Sequence, residues 1–92
     1  MDALTSQERR ALAARANRLK AQITLGGEVT DSNVAHVRRR FEQADLLKVR
    51  FSTDDRALCD RLASELAERA GCLLVQRVGR VATLFLSRGA ES

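Results

Sequence analysis

The sequence predicts an α/β fold: a two-layer sandwich of order αβαβαββ, with a four-stranded mixed sheet and an extra helix at its N-terminus. Three observations predict it. Apolar residues recur at helical spacing in three segments and alternate or run continuously in four short ones. The two kinds of segment interleave, so strands joined through a helix run parallel, and right-handed crossovers place the second and third helices on one face. The last two strand segments are two residues apart, which makes them a hairpin and turns one strand antiparallel.

The first helix opens at Thr5, with Glu8 three residues on, the spacing of a capping box. Leu12, Ala16 and Leu19 form its apolar stripe, and Arg10, Arg15 and Arg18 fall beside or behind it, with Lys20 expected to close the helix. Residues 21–25 alternate as a strand, and Gly26-Gly27 breaks it. Thr30 or Asp31 caps the second helix, whose inner stripe is Val34, Val37, Phe41 and Ala44; Arg38 flanks that stripe and Arg39 points away beside His36. Residues 46–51 form the next strand, with Leu47, Val49 and Phe51 on one face and Lys48 and Arg50 on the other. Ser52, Thr53 or Asp54 caps the third helix, which turns Leu58, Cys59, Leu62, Leu66 and Ala70 to the core and ends at Gly71. Residues 72–78 and 81–86 are the closing strands, and glycine first in the loop Gly79-Arg80 suits a type II′ turn. The tail after Ser87 is expected to fray.

Ninety-two residues fit a single domain, expected over 1–92 with its ordered part at about 4–88. No stretch approaches the roughly 20 apolar residues of a membrane span, and Met1 to Arg10 lacks the apolar run of a signal peptide, so the cytoplasm is the expected compartment. Two cysteines and one histidine are too few for a four-ligand zinc site. No metal or cofactor is expected, and Cys59 and Cys72 should be reduced, packed thiols. The net charge of +4 is uneven: residues 1–53 carry +4, residues 54–71 carry −2 and residues 72–92 carry +2. That separation suits a polyanionic partner bound away from the third helix, whose outer Asp60, Glu65 and Glu68 would repel it.

Catalytic chemistry finds little support. His36 lies on the solvent side of a helix among arginines, and Asp54-Asp55 suits a helix N-terminus better than an acid–base pair. There is neither a lysine-bearing phosphate loop nor a three-glycine dinucleotide fingerprint, so no enzymatic activity is expected. Base stacking needs exposed aromatics, yet of the three present, Phe41 and Phe51 are in core phase and Phe85 lies in an apolar strand. Backbone recognition is the remaining nucleic-acid mode: cations, with N–H groups offered at a glycine turn before a helix.

Leu4-Thr5, Arg9-Arg10, Leu12, Ala16, Leu19-Lys20 and Gly26, in that order, resemble the opening of the CRM domain (chloroplast RNA splicing and ribosome maturation), whose single-domain bacterial members are YhbY-like proteins. The agreement continues through Leu47-Lys48-Val49-Arg50, Asp55-Arg56, Val75-Gln76, Gly79-Arg80 and Leu84-Phe85, over about residues 4–88. The resemblance implies a fold like the C-terminal domain of translation initiation factor three. It also implies RNA binding, with ribosomal RNA of the large subunit or its precursor as the bacterial partner, through a GxxG loop after the first strand and nearby cations. Here Leu25-Gly26-Gly27-Glu28 has adjacent glycines followed by an acid, a loop one residue short, which shifts the expected contacts toward helical arginines.

The expected RNA-binding set is therefore Arg10, Arg15, Arg18, Lys20, Gly26, Gly27, Arg38 and Arg39. Two rival readings are a duplex-DNA-binding chromatin protein of the Alba type and a protein-interaction module with an acidic partner. A long basic hairpin would favour the first, and here the turn is short with Arg80 its only cation.

Overall fold

The computed structural model describes residues 4–86. The elements follow the expected order: α1 (Ser6–Ala16), β1 (Ile23–Leu25), α2 (Asp31–Arg40), β2 (Leu46–Phe51), α3 (Arg56–Ala70), β3 (Leu73–Val78) and β4 (Val81–Phe85). The frayed tail expected after Ser87 lies outside the described residues.

Local chemistry sets the boundaries. The Thr5 hydroxyl accepts the Glu8 N–H at 3.1 Å, and the Glu8 carboxylate accepts the Thr5 N–H at 2.8 Å, a reciprocal box that starts α1. The helix stops at Ala16, earlier than its apolar stripe suggests. Asn17 favours a helix end over an interior, and the chain tightens into a turn in which Leu19 N–H donates to Ala16 O at 2.9 Å. Arg18 and Lys20 thus follow the helix, and Lys20 does not close it. Thr30 and Asn33 make the equivalent box for α2. The cap of α3 is Asp55, one residue beyond the expected candidates: its carboxylate accepts the Leu58 N–H at 3.2 Å, while the Thr53 hydroxyl accepts the N–H of Asp55 itself. Gly71 ends α3 at φ 74. Gly79 has φ 60 and Arg80 has no positive φ, which fits a type II′ hairpin and not type I′.

The strand order is β1-β2-β4-β3. β1 and β2 are parallel, and β4 lies antiparallel between β2 and β3. The crossover through α3 therefore skips one position, which the hairpin's second strand fills. β2 shows why the sheet needs cover on both faces. Leu47, Val49 and Phe51 point into the main core with α2 and α3, whereas Leu46 points the other way into a second cluster with Leu12 and Ala16 of α1 and Val75 of β3. α1 thus lies across the back of the sandwich, over one end of the sheet's outer face.

Both cysteines are free; Cys59 is buried and donates weakly to Thr53 O at 3.7 Å. Burial pushes the Cys72 thiol up from 9.0 to about 12. Because the folded state favours the neutral thiol, this contribution to stability is complete below pH 9.0 and is lost as pH climbs toward about 12. At pH 8 the native protein should therefore alkylate at Cys72 roughly 10²- to 10³-fold more slowly than urea-unfolded chain. Equal rates, read by mass spectrometry, would show that Cys72 is not desolvated. Replacing both cysteines with Ala should leave the fold intact.

Candidate nucleic-acid interface

The glycine turn joins β1 to α2. Gly26 and Gly27 are exposed, neither has a positive φ, and a Cβ built on either meets nothing within 4 Å. The fold itself therefore does not require glycine at these positions, through either a left-handed backbone or close packing. The segment after them is held in place. Arg69 of α3 donates to Val29 O at 2.9 Å and pairs with Asp31 at the start of α2. Gly27 lines a depression of about 430 Å³ with Glu28, Arg61, Glu65 and Arg69, a surface of mixed charge. Arg61 and Glu65 are therefore neighbours of the turn, and the outer face of α3 is not the remote surface that the charge pattern suggests.

On α1, Arg10 and Arg15 are exposed, and Arg18 is exposed in the turn that follows. Arg15 and Arg18 flank Ala14 in a shallow depression. Arg15 also pairs with Asp45 at 2.8 Å, tying the helix to the segment before β2. Arg9, adjacent to Arg10 in the sequence, has a structural role: the guanidinium donates to Leu74 O at 3.0 Å and Val75 O at 2.7 Å, where a bulge interrupts the β3–β4 register.

Lys20, just before β1, lines a second cleft of about 430 Å³ with Lys48 and Arg50 of β2, together with Leu19, Thr24 and Val81. This cleft occupies the end of the sheet's outer face that α1 leaves bare. It ends at Thr24, two residues short of Gly26. Lys48 and Arg50 were assigned to the outward face of their strand by its alternation, but only the position of α1 shows that they meet Lys20. Arg38 and Arg39 stand elsewhere, exposed on α2 in the opposite layer, around a depression shared with Asp31 and Glu42. The structure thus gathers Lys20 with two cations of β2 and sets the arginines of α2 apart from them.

The aromatic side chains are engaged in packing: Phe51 and Phe41 are buried in the main core, and Phe85 packs against the cluster under α1. Asp55 is occupied as a cap and Asp54 pairs with Arg80 at 2.9 Å, so the adjacent carboxylates do not act on a common point. Among the described residues no helix is long and apolar enough to cross a membrane.

Two comparisons bear on this arrangement. The CRS1 / YhbY (CRM) domain matches residues 4–85. The fold is also similar to the solution structure of a hypothetical protein from Staphylococcus aureus, for which RNA binding has been proposed. The TM-score is 0.82 at 22% identity, covering 92% of this chain and 90% of that one.

Proposed function

Because this chain belongs to the CRS1 / YhbY (CRM) domain family, we propose that it is an RNA-binding protein that contacts ribosomal RNA of the large subunit, or its precursor, during subunit assembly in the cytoplasm. It reads the RNA backbone and catalyses nothing. Arg10, Arg15, Arg18 and Lys20 contact phosphates, Gly26 and Gly27 let a strand approach the main chain, and Arg38 and Arg39 extend the contact on the other layer. The observation that carries this reading is the glycine turn: two residues that the fold would accept with side chains have none, directly before a capped helix N-terminus where main-chain N–H groups favour phosphate. The cations of α1 and its following turn supply the sequence-independent attraction.

Crosslinking in cells followed by sequencing of the bound RNA tests the target. Reads concentrated on large-subunit RNA support it; recovery of DNA, or of no nucleic acid, overturns it. The residues are tested by Arg15→Ala with Arg18→Ala, which should weaken binding to such RNA at least several-fold. Stability should barely change, since an exposed ion pair such as Arg15–Asp45 contributes about 0–1 kcal/mol. Arg61→Ala is a poor comparison, because Arg61 borders the glycine turn. Arg56→Ala, exposed at the start of α3, is the better one and should change neither quantity. Loss of binding with Gly27→Asp but not with the arginine changes would confine the site to the turn.

A further inference from the structure

The cleft on the bare end of the sheet gathers cations from separate elements, whereas Arg15 and Arg18 beside Ala14 are near neighbours in sequence. Lys20, Lys48 and Arg50 line it and no acid does. The ion pairs among the described residues engage Arg15, Arg69, Arg77 and Arg80. None engages Lys20, Lys48 or Arg50. Converging like charges repel one another and gain nothing from the fold unless an anion joins them.

We infer that this cleft holds the phosphodiester backbone of an unpaired RNA strand, with phosphates set against Lys20, Lys48 and Arg50. The inference rests on the RNA-binding reading above and gives it a path and a preferred form of RNA. Lys48 is half-buried and its ammonium donates to Leu19 O at 3.1 Å, which fixes the charge at the cleft wall while two of its three donors stay available. Lys48 and Arg50 alternate on one face of β2, about 6.6 Å apart along the strand, a spacing that successive phosphates of an extended strand can follow. Lys20 and Arg50 line the cleft and are exposed. In a duplex the bases turn inward and are paired, whereas an unpaired strand can lay its sugars and base edges on the cleft while its phosphates meet these cations.

The apolar lining points the same way. Leu19 and Val81 are aliphatic, and Val78, which is 66% exposed, pairs with Val81 beside the cleft. Such a shoulder accommodates a ribose or the edge of any base without selecting among them, since aromatic stacking is absent. Thr24 then leads along β1 toward Gly26, so one strand can cross the cleft and reach the glycine turn.

The test is fluorescence anisotropy with a labelled oligouridylate and, in parallel, a labelled RNA hairpin. Lys20→Gln with Arg50→Gln removes two exposed charges and should lower affinity for oligouridylate at least about tenfold, with the salt slope shallower by about 1.4. The hairpin stem should lose much less, and a thermal melt should be unchanged. Arg50→Gln alone should exceed Arg56→Gln, an equal change of charge on the other layer. Equal losses for those two would mean diffuse attraction and overturn the cleft. Equal losses for stem and oligouridylate would overturn the single-strand assignment. A polyglutamate peptide that binds as tightly, with the same dependence on Lys20 and Arg50, would identify an acidic protein segment as the occupant instead. If the double variant binds oligouridylate normally while Arg15→Ala with Arg18→Ala does not, the cleft fails and the RNA-binding reading survives. If the unaltered protein binds neither RNA at low salt, that reading fails first.

Discussion

Phe51→Ala should cost about 3–5 kcal/mol of stability, the usual range for truncating a fully buried phenylalanine. Phe51 is 0% exposed and faces the main core between α2 and α3. It also closes the end of β2: it pairs with Leu25 across the parallel ladder, and its N–H donates to Arg80 O at 2.7 Å in the hairpin turn. Removing the ring therefore opens a cavity at the point where β1, β2 and the hairpin converge, and neighbouring backbone held by those bonds cannot easily collapse into it. A domain of this size has only about 5–15 kcal/mol in total, so at least about a fifth of the margin is at stake and, at the low end of that range, all of it. Urea unfolding followed by circular dichroism should show the midpoint falling with the slope unchanged, and the melting temperature should drop by at least about 15 °C. Phe51→Leu should recover most of the loss. A cost under about 1 kcal/mol for Phe51→Ala would mean that this residue does not fill the core as described.

The residues around Phe51 also show what the sequence could and could not reveal. The order of elements was legible because each boundary carries its own chemistry: the reciprocal Thr5–Glu8 cap, Thr30 before α2, Gly71 after α3 and Gly79 in the hairpin. The early end of α1 was less visible, because Leu19 keeps the helical phase and still reaches the apolar cluster from the turn. The cap of α3 was missed by one residue because Thr53, Asp54 and Asp55 all have capping side chains; only the bonds they make separate them. The face covered by α1 was not assigned, although Leu46-Leu47 holds the signal: two adjacent buried leucines in one strand mean that both faces of the sheet are covered there.

The proposed binding surface was harder to read for the same reason. Clusters of cations along the sequence, such as residues 38–40, draw attention to α2, yet the convergent cations come from separate elements. Lys20 meets Lys48 and Arg50 only because β1 pairs with β2 and α1 leaves that end of the sheet bare. Two further arginines look like plain solvated surface but hold distant main chain. Arg9 bonds to carbonyls 65 and 66 residues away, and Arg69 to one 40 residues away. Their partners are main-chain oxygens of a bulge and a loop, which no pattern of side chains announces.

RNA affinity should fall steeply with salt, and the charge geography sets how steeply. Arg10, Arg18, Lys20, Lys48 and Arg50 lie on α1, on the turn after it or on the outer sheet face, and none makes an ion pair among the described residues. If about three to five phosphates of a single strand are neutralised, log affinity should decline with log salt at a slope of roughly −2 to −3.5. Between 50 and 200 mM potassium chloride that slope amounts to a loss of roughly 15- to 130-fold. The aliphatic cleft and the buried phenylalanines leave no aromatic stacking to sustain binding once counterions compete, so little affinity should persist at high salt. Anisotropy titrations of oligouridylate across a salt series measure the slope directly. A slope near zero with tight binding would point to base-specific or apolar recognition and remove the electrostatic basis of the site. A slope far steeper than −3.5 would require phosphates beyond the α1 side of the molecule, and the exposed Arg38 and Arg39 on the opposite layer are where they would be found.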